Sequence, residues 1–255
     1  MRRIGTAAVA VAWLATSAFA QPPVAPTAPA PGAPPQAGRA PPAPLPPATQ
    51  PRPRDDARHQ SFLEVAKAGN IDVLFVGDSI TDWWRQPQRG LPVWEKNIAP
   101  LKAANFGIAG DTTQGVLWRM QNGELEGFQA KLIVLMLGTN NINRNDPADI
   151  AAGDAAIVAE FKKRQPNAKI LILGVFPRGA AADNPFRARI REINGHLAAQ
   201  ADGQRVHYLD IGDKFLSADG TLPADVMPDA LHPNLKGYEI WAEAMMPKVR
   251  ELLAL

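Results

Sequence analysis

The chain has 255 residues, a formal net charge of +2 and no cysteine. Without cysteine it can form no disulfide, thiolate zinc site or cysteine nucleophile. Five of its 27 basic residues but none of its 25 acidic residues precede Asp55, so the rest of the chain carries a formal net charge of −3. Because nucleic-acid binding needs a cationic surface, this balance argues against nucleic acid as a partner.

The first twenty residues have the pattern of a secretory signal peptide. Arg2 and Arg3 precede an apolar stretch that ends near Leu14, and Ala18 and Ala20 supply small residues for a cleavage site. The apolar stretch is shorter than the ~20 residues that a membrane-spanning helix needs, so we expect no transmembrane anchor. The pattern predicts an exported protein, either periplasmic or secreted.

Residues 21–54 form a proline- and alanine-rich segment. Residues 22–53 hold 14 of the 25 prolines, and Val24 and Leu45 are the larger aliphatic residues of the segment. Such a composition buries too little apolar surface to offset the entropy of ordering. We therefore predict a disordered linker that acts as a spacer, with binding to a partner as an alternative, followed by one domain over residues 55–255.

Short apolar runs and helical patterns alternate along this domain. Strands are predicted at residues 71–76, 104–106, 132–137, 170–173 and 206–209, and helices at residues 115–122, 147–164, 185–201 and 235–253. Continuous aliphatic runs indicate strands that are buried on both faces, as in a parallel sheet. The alternation predicts an α/β fold in the form of a three-layer sandwich.

Polar residues and glycines follow the predicted strands. Ser79 comes after the first strand, Gly110 after the second and Asn140 after the third, while Asp229 and His232 precede the last helix. Ligands bind at the carboxyl ends of the strands in an open parallel sheet, so these residues are expected to meet there. A hydroxyl, an imidazole, a carboxylate and amide donors are the groups that a serine hydrolase uses.

Each of these residues has a predicted role. Ser79 would be the nucleophile, His232 the base that takes its proton, and Asp229 the carboxylate that orients the imidazole. The backbone N–H groups of Ser79 and Gly110 and the side-chain amide of Asn140 would form an oxyanion hole. Asp219 and Asp225 remain alternatives for the acid, and each motif alone would also be an ordinary turn or helix cap.

Four neighbouring residues are candidates for a substrate pocket. They are Asp78, Asp111, Trp118 and Asn141. Trp118 is included because its helix follows the Gly110 loop. The remaining histidines lack the spacing of metal ligands, so no metal site is expected.

The motifs resemble those of the GDSL, or SGNH, hydrolase family. The shared features are GDS at residues 77–79, the block NFGIAGDTTQGVLWRMQNGELEG at residues 105–127, GTNN at residues 138–141 and the Asp229-to-His232 pair. Within the family, the long block together with RQPNAKI and PRG is most similar to the catalytic subunits of intracellular-type platelet-activating factor acetylhydrolase. The resemblance implies a flavodoxin-like sheet, hydrolysis of short acyl esters, no cofactor and a capacity to form homodimers.

The alcohol part of the ester is left open by the sequence. Predicted export favours an O-acetylated carbohydrate, whereas the resemblance to the acetylhydrolase subunits favours a phospholipid ester. A non-catalytic binding module on a proline-rich spacer is a third interpretation. It requires that a member of the triad be missing, and all three are present.

Overall fold

The computed structural model describes residues 44–255. The predicted signal peptide at residues 1–20 and the predicted linker up to residue 43 lie outside the described residues. Among residues 44–255, none of the helices is both long and apolar enough to cross a membrane.

Five strands form one parallel sheet in the described part of the chain. They are β1 (Val73–Gly77), β2 (Ala103–Gly107), β3 (Leu132–Met136), β4 (Lys169–Leu173) and β5 (Val206–Leu209). Their spatial order is β2-β1-β3-β4-β5, which is the flavodoxin-like order. Every residue of β1 and β3 is buried, which is why these strands read as continuous apolar runs.

Helices cover both faces of the sheet. They are α1 (Ala57–Ala68), α2 (Ser79–Asp82), α3 (Leu91–Asn97), α4 (Thr113–Gln121), α5 (Pro147–Arg164), α6 (Pro185–Ala198) and α7 (Leu235–Leu253). Side chains alternate between the faces, so Leu74 and Val76 join one apolar cluster with α1, α4, α5 and α6. Val73 and Phe75 join the other with α2, α3 and α7. The predicted three-layer α/β sandwich is confirmed.

The predicted helices differ from the observed ones at their ends. The helices predicted at residues 147–164 and 235–253 have the predicted bounds, whereas α6 ends at Ala198 and α4 begins at Thr113. Pro147 and Pro185 occupy the first turns of α5 and α6, where a missing N–H costs nothing. The short helix α3 has too few turns for its periodicity to stand out in the sequence.

The structure differs from the predicted disordered linker over residues 44–54, which we call the N-terminal arm. Leu45 and Ala48 are buried against the domain. The Ala48 N–H donates to both carboxylate oxygens of Asp149 at 3.0 and 3.1 Å, and the Pro46 carbonyl accepts from Asn145 at 3.1 Å. The low apolar content of the segment predicts disorder, but the structure shows an ordered arm, because hydrogen bonds from the domain hold it in place.

Candidate active site

The fold brings the predicted site residues to one edge of the sheet. The chain passes from β1 to β2 on one side and then to β3 on the other, which opens a crevice at the carboxyl ends of the strands. Ser79 begins α2 directly after β1, Gly110 follows β2, and Asn140 follows β3. His232 enters from the loop that precedes α7.

Three side chains are joined by hydrogen bonds at this edge. Ser79 Oγ lies 3.0 Å from His232 Nε2, and His232 Nδ1 lies 2.6 Å from Asp229 Oδ2. Because a carboxylate only accepts, Nδ1 carries the proton and Nε2 presents its lone pair to the Ser79 hydroxyl. The imidazole is therefore placed to take the hydroxyl proton.

Asp229 is bound by its own loop as well as by the imidazole. Its Oδ1 accepts from the backbone N–H groups of Leu231 at 3.1 Å and His232 at 2.7 Å. Partial burial opposes ionisation, but the hydrogen bonds from His232 and Leu231 outweigh it and lower the pKa of Asp229. The carboxylate is therefore ionised at neutral pH, and 53% of its side-chain surface is exposed.

The two alternative acids lie elsewhere. Asp225 accepts from Lys236 Nζ at 2.6 Å, and Asp219 binds within its own turn. Of the three carboxylates considered, Asp229 is the one that is hydrogen-bonded to His232.

The loop that carries Asp229 and His232 has a strained turn. Ala230 between them has a φ of 55°, a conformation that costs a non-glycine residue about 1–3 kcal/mol. The Gly179 N–H donates to the Ala230 carbonyl at 2.9 Å, and Asn234 caps α7 by accepting from the Gly237 N–H. These contacts hold the shape that puts both side chains on the same side of the loop.

Gly110 and Asn140 follow the two strands that flank β1, so their loops lie on either side of Ser79 along the edge of the sheet. Gly110 has a φ of 77°, and a Cβ there would meet no atom within 4 Å. Its conformation, rather than a lack of space, is what favours glycine. The Asn140 Nδ2 donates to the Asp111 carbonyl at 2.8 Å, which ties the loop after β3 to the loop after β2.

Buried charges anchor the loop after β2. Arg119 of α4 donates to Asp111 at 2.9 Å, to the Phe106 carbonyl at 3.1 Å and to Glu124. Glu124 in turn lies 2.8 Å from His59 of α1. We call Arg119, Asp111, Glu124 and His59 the buried charge cluster. Burial raises the pKa of Asp111 and of Glu124, and the attraction of Arg119 partly offsets this.

The N-terminal arm reaches the same loop. The Arg54 guanidinium donates to the Ala109 carbonyl at 3.2 Å and lies 3.8 Å from the Asp111 carboxylate. The residues on both sides of Gly110 are therefore contacted by the arm.

Three of the four residues predicted to line a substrate pocket are buried in the structure. Asp78, Asp111 and Asn141 are at most 1% exposed, so their side chains do not face an open pocket. Asn141 binds Asn145 and the start of α4. The Trp118 ring packs on His59, with centroids 5.1 Å apart, because its helix turns this face toward α1.

Asp78 has the most perturbed environment beside the nucleophile. It caps α2 by accepting from the Ile80 N–H at 3.0 Å, while its other oxygen is buried without a partner. Burial raises the pKa of Asp78 to about 7, with repulsion from Asp111 acting in the same direction and the Ile80 hydrogen bond against it.

The sequence did not identify two features of the site. The first is Trp83, which packs on the His232 ring. In the sequence, a tryptophan that follows an apolar strand is equally consistent with a core residue. Arg119 lies on the buried face of α4 between Val116 and Met120. A charged residue at an apolar position of a helical pattern was the available signal for the buried charge cluster. Within residues 44–255, no group of three or more His, Asp and Glu side chains is arranged to hold a metal ion.

A parallel sheet of this order with a serine, a histidine and a carboxylate hydrogen-bonded at its carboxyl edge is typical of serine acylhydrolases. The chain belongs to the GDSL-like lipase/acylhydrolase family, whose model matches residues 75–240. It is an acylhydrolase.

A curated relative supports this membership, and two solved structures share the fold. Human platelet-activating factor acetylhydrolase IB subunit alpha1 is 37% identical over 217 residues, which cover 82% of this chain and 91% of that protein. The structure of a GDSL-like lipase from Bacteroides thetaiotaomicron is similar with a TM-score of 0.60 at 19% identity, and covers 77% of this chain and 98% of that one. An acetylxylan esterase from Geobacillus stearothermophilus has a TM-score of 0.56 at 20% identity, with coverage of 69% and 93%.

Proposed function

We propose that the chain is an exported serine esterase that hydrolyses short acyl esters, with acetyl esters as its main substrates. The observation that carries this proposal is the hydrogen-bonded series from Ser79 Oγ through His232 to Asp229, with distances of 3.0 and 2.6 Å. Such a series turns a weakly nucleophilic hydroxyl into one that a base activates.

The proposed reaction has two halves. Ser79 Oγ attacks the ester carbonyl carbon while His232 Nε2 takes the hydroxyl proton, and Asp229 stabilises the resulting imidazolium. The imidazolium then gives its proton to the departing alcohol oxygen, which leaves an acyl-enzyme. Water attacks this ester with His232 again as base, and the acid is released.

Three donors would hold the negative oxygen of each tetrahedral intermediate. They are the N–H groups of Ser79 and Gly110 and the Asn140 side-chain amide. The Asn140 amide is held by its bond to the Asp111 carbonyl, so it needs little reorganisation during the reaction. Loss of one such donor typically lowers kcat by about 100- to 1000-fold.

For the alcohol part of the ester, we propose a carbohydrate. Among residues 44–255, the exposed large hydrophobic side chains are Val65, Leu235 and Leu255, and Leu235 alone lies near His232 in sequence. A site for lipid esters would be expected to carry a contiguous apolar rim. The signal-peptide pattern supports action outside the cytoplasm, where acetylated glycans would be accessible.

A phospholipid ester is the second candidate. It is favoured by the 37% identity to the human acetylhydrolase subunit, over most of both chains. The acyl group would be the same, and the two candidates differ only in the alcohol.

The test uses the purified full chain with Ser79→Ala and a matched Ser61→Ala control. Ser61 is an exposed serine of α1, so its loss should leave activity unchanged. We expect Ser79→Ala to abolish hydrolysis of p-nitrophenyl acetate and covalent labelling by a fluorophosphonate, with an unchanged melting temperature. Turnover by Ser79→Ala equal to that of wild type would refute the proposal.

Comparing kcat/KM for acetylated xylan, acetylated phospholipid and a series of acyl chains would then identify the substrate. A preference for acetylated xylan supports the carbohydrate proposal, and a preference for the phospholipid replaces it with the second candidate. A preference for long acyl chains would contradict the short-acyl assignment.

A further inference from the structure

We propose that Trp83 and Arg89 form a stack that positions the His232 imidazole for catalysis. This inference rests on the proposed function, because it assigns a task to residues that touch the proposed base. Trp83 would be a positioning residue that does not contact the substrate.

The stack has three layers. The Trp83 and His232 rings have centroids 4.1 Å apart at an interplanar angle of 35°. On Trp83, the Arg89 guanidinium carbon lies 4.1 Å from the ring centroid. Both contacts are at the distance of direct ring packing and of a cation–π interaction. Because these two partners already pack on the indole, it is poorly placed to stack on a sugar ring.

Arg89 also contacts the histidine loop directly. Its Nη1 donates to the carbonyl of Pro233, the residue after His232, at 3.2 Å. Trp83 therefore contacts the imidazole ring, and Arg89 contacts the main chain one residue after His232.

The stack is connected to the nucleophile by the main chain. Trp83 follows α2 immediately, and its N–H donates to the carbonyl of Ser79. Downstream, the Gln86 N–H returns to the Trp83 carbonyl at 3.1 Å, which closes the turn. Ser79 and His232 are thus held at a fixed separation by a route that does not depend on their own hydrogen bond.

The solvent exposure of Asp229 explains why a second contact to His232 matters. The Asp229 side chain is 53% exposed, and that of His232 is 16% exposed. Water competes for exposed hydrogen bonds and ion pairs, so the Asp229 contact alone constrains the imidazole weakly. Ring packing is not subject to this competition. The geometry therefore assigns much of the orientation of His232 to Trp83.

The test compares Trp83→Ala and Trp83→Phe in the full chain. With p-nitrophenyl acetate, we expect Trp83→Ala to lower kcat by about 10- to 100-fold, as for a misplaced catalytic group, with KM changed by less than about 2-fold. Fluorophosphonate labelling of Ser79 should slow by a similar factor. Trp83→Phe, which keeps an aromatic face, should recover most of kcat.

Trp94→Ala is the matched control. Trp94 packs on Phe75 and Trp84 in the adjacent core, with ring centroids 5.2 and 6.0 Å apart. Its removal should lower the melting temperature and leave the kcat of the folded protein unchanged. A general loss of packing would instead lower kcat in both alanine variants.

Arg89→Gln supplies a second test that does not depend on the folding of Trp83→Ala. Glutamine keeps a donor for the Pro233 carbonyl but loses the planar cation over the indole, so a kcat loss of about 3- to 10-fold is expected. Arg85→Gln is its control, because Arg85 is 51% exposed and pairs with Asp82.

Three outcomes would overturn the stack. They are an unchanged kcat for Trp83→Ala, a Trp83→Phe variant as impaired as Trp83→Ala, and a rise in KM at constant kcat, which would make Trp83 a substrate contact. Ser79→Ala separates this failure from that of the proposed function. If Ser79→Ala is inactive but Trp83→Ala is not impaired, only the stack is wrong.

Discussion

The loop that carries Gly110 and the loop that carries His232 are held by different forces. On the Gly110 side, Arg119 and its partners Asp111 and Glu124 are at most 1% exposed and tie the loop to α4. On the other side, the imidazole of His232 depends on a half-exposed carboxylate and on ring packing. Substitutions around the Gly110 loop should therefore cost stability and activity together, whereas those around the His232 loop should cost activity alone.

The largest effect is expected on the exposed side, from Asp229→Asn. An asparagine donates where a carboxylate accepts, so the imidazole loses its tautomer, and kcat should fall by up to about 10,000-fold. The melting temperature should stay near that of wild type because the side chain is 53% exposed. Steady-state kinetics measure the change in kcat, and thermal unfolding measures the change in melting temperature.

Asp225→Asn is the control for this change. Asp225 lies on the same segment but binds Lys236, so its loss should leave kcat unchanged. An impaired Asp225→Asn beside an active Asp229→Asn would reverse the assignment of the acid.

The next effect is expected in the buried charge cluster, from Arg119→Met. Removing the guanidinium leaves Asp111 and Glu124 buried without their partner, which should lower the free energy of unfolding by about 3–5 kcal/mol. Activity should fall as well, because Asp111 follows Gly110. Denaturant unfolding and kinetics on the folded protein measure both quantities.

Arg164→Met serves for comparison, since Arg164 pairs with Glu126 and Glu160 while 25% exposed. It should lose no more than about 1 kcal/mol. If both arginine variants lost the same free energy of unfolding, burial would not be what makes the Arg119 ion pairs more important than those of Arg164.

The effect expected from Asp78→Asn depends on pH. Burial raises the pKa of Asp78 from 3.8 to about 7, so between these values the folded protein keeps a proton that the unfolded chain releases. The contribution of Asp78 to stability is therefore fully present below about pH 4 and is lost as pH rises through about 7.

Asparagine does not titrate and keeps an oxygen for the Ile80 N–H. The melting temperature of Asp78→Asn relative to wild type should therefore rise between pH 4 and pH 7 and level off above. Thermal unfolding of both proteins across this range measures the difference. A difference that is independent of pH would mean that Asp78 titrates as an exposed carboxyl does.

The sequence predicted the parts of the fold that depend on local pattern. The buried strands β1, β3 and β4 are aliphatic runs, and Ser79 and Asn140 follow two of them directly. Because parallel strands present their carboxyl ends at one edge, the meeting of these residues followed from order along the chain. The link from Asp229 to His232 also followed from sequence, since both lie in one loop.

Side-chain contacts that form only when the elements pack together could not be predicted from the sequence. Arg119 reaches Glu124 and Asp111 only when α4 packs against α1 and the sheet, and Trp83 meets His232 from a distant part of the chain. The helical pattern of α4 signals that Arg119 is buried, but neither the partners of Arg119 nor the contact of Trp83 with His232 can be predicted from periodicity or spacing. The burial of Asp111 and Asn141 was not predicted either, because sequence proximity to Gly110 and Asn140 does not specify which side chains turn inward.

The N-terminal arm has a mechanical consequence. The Ala48 N–H and the Pro46 carbonyl are bound to Asp149 and Asn145, ahead of Arg54 along the chain. A tension applied at the N-terminal side of the arm would load these hydrogen bonds before it reached Arg54 and the Gly110 loop. These hydrogen bonds would thus protect the geometry of the site from a force applied to the N-terminal side of the arm.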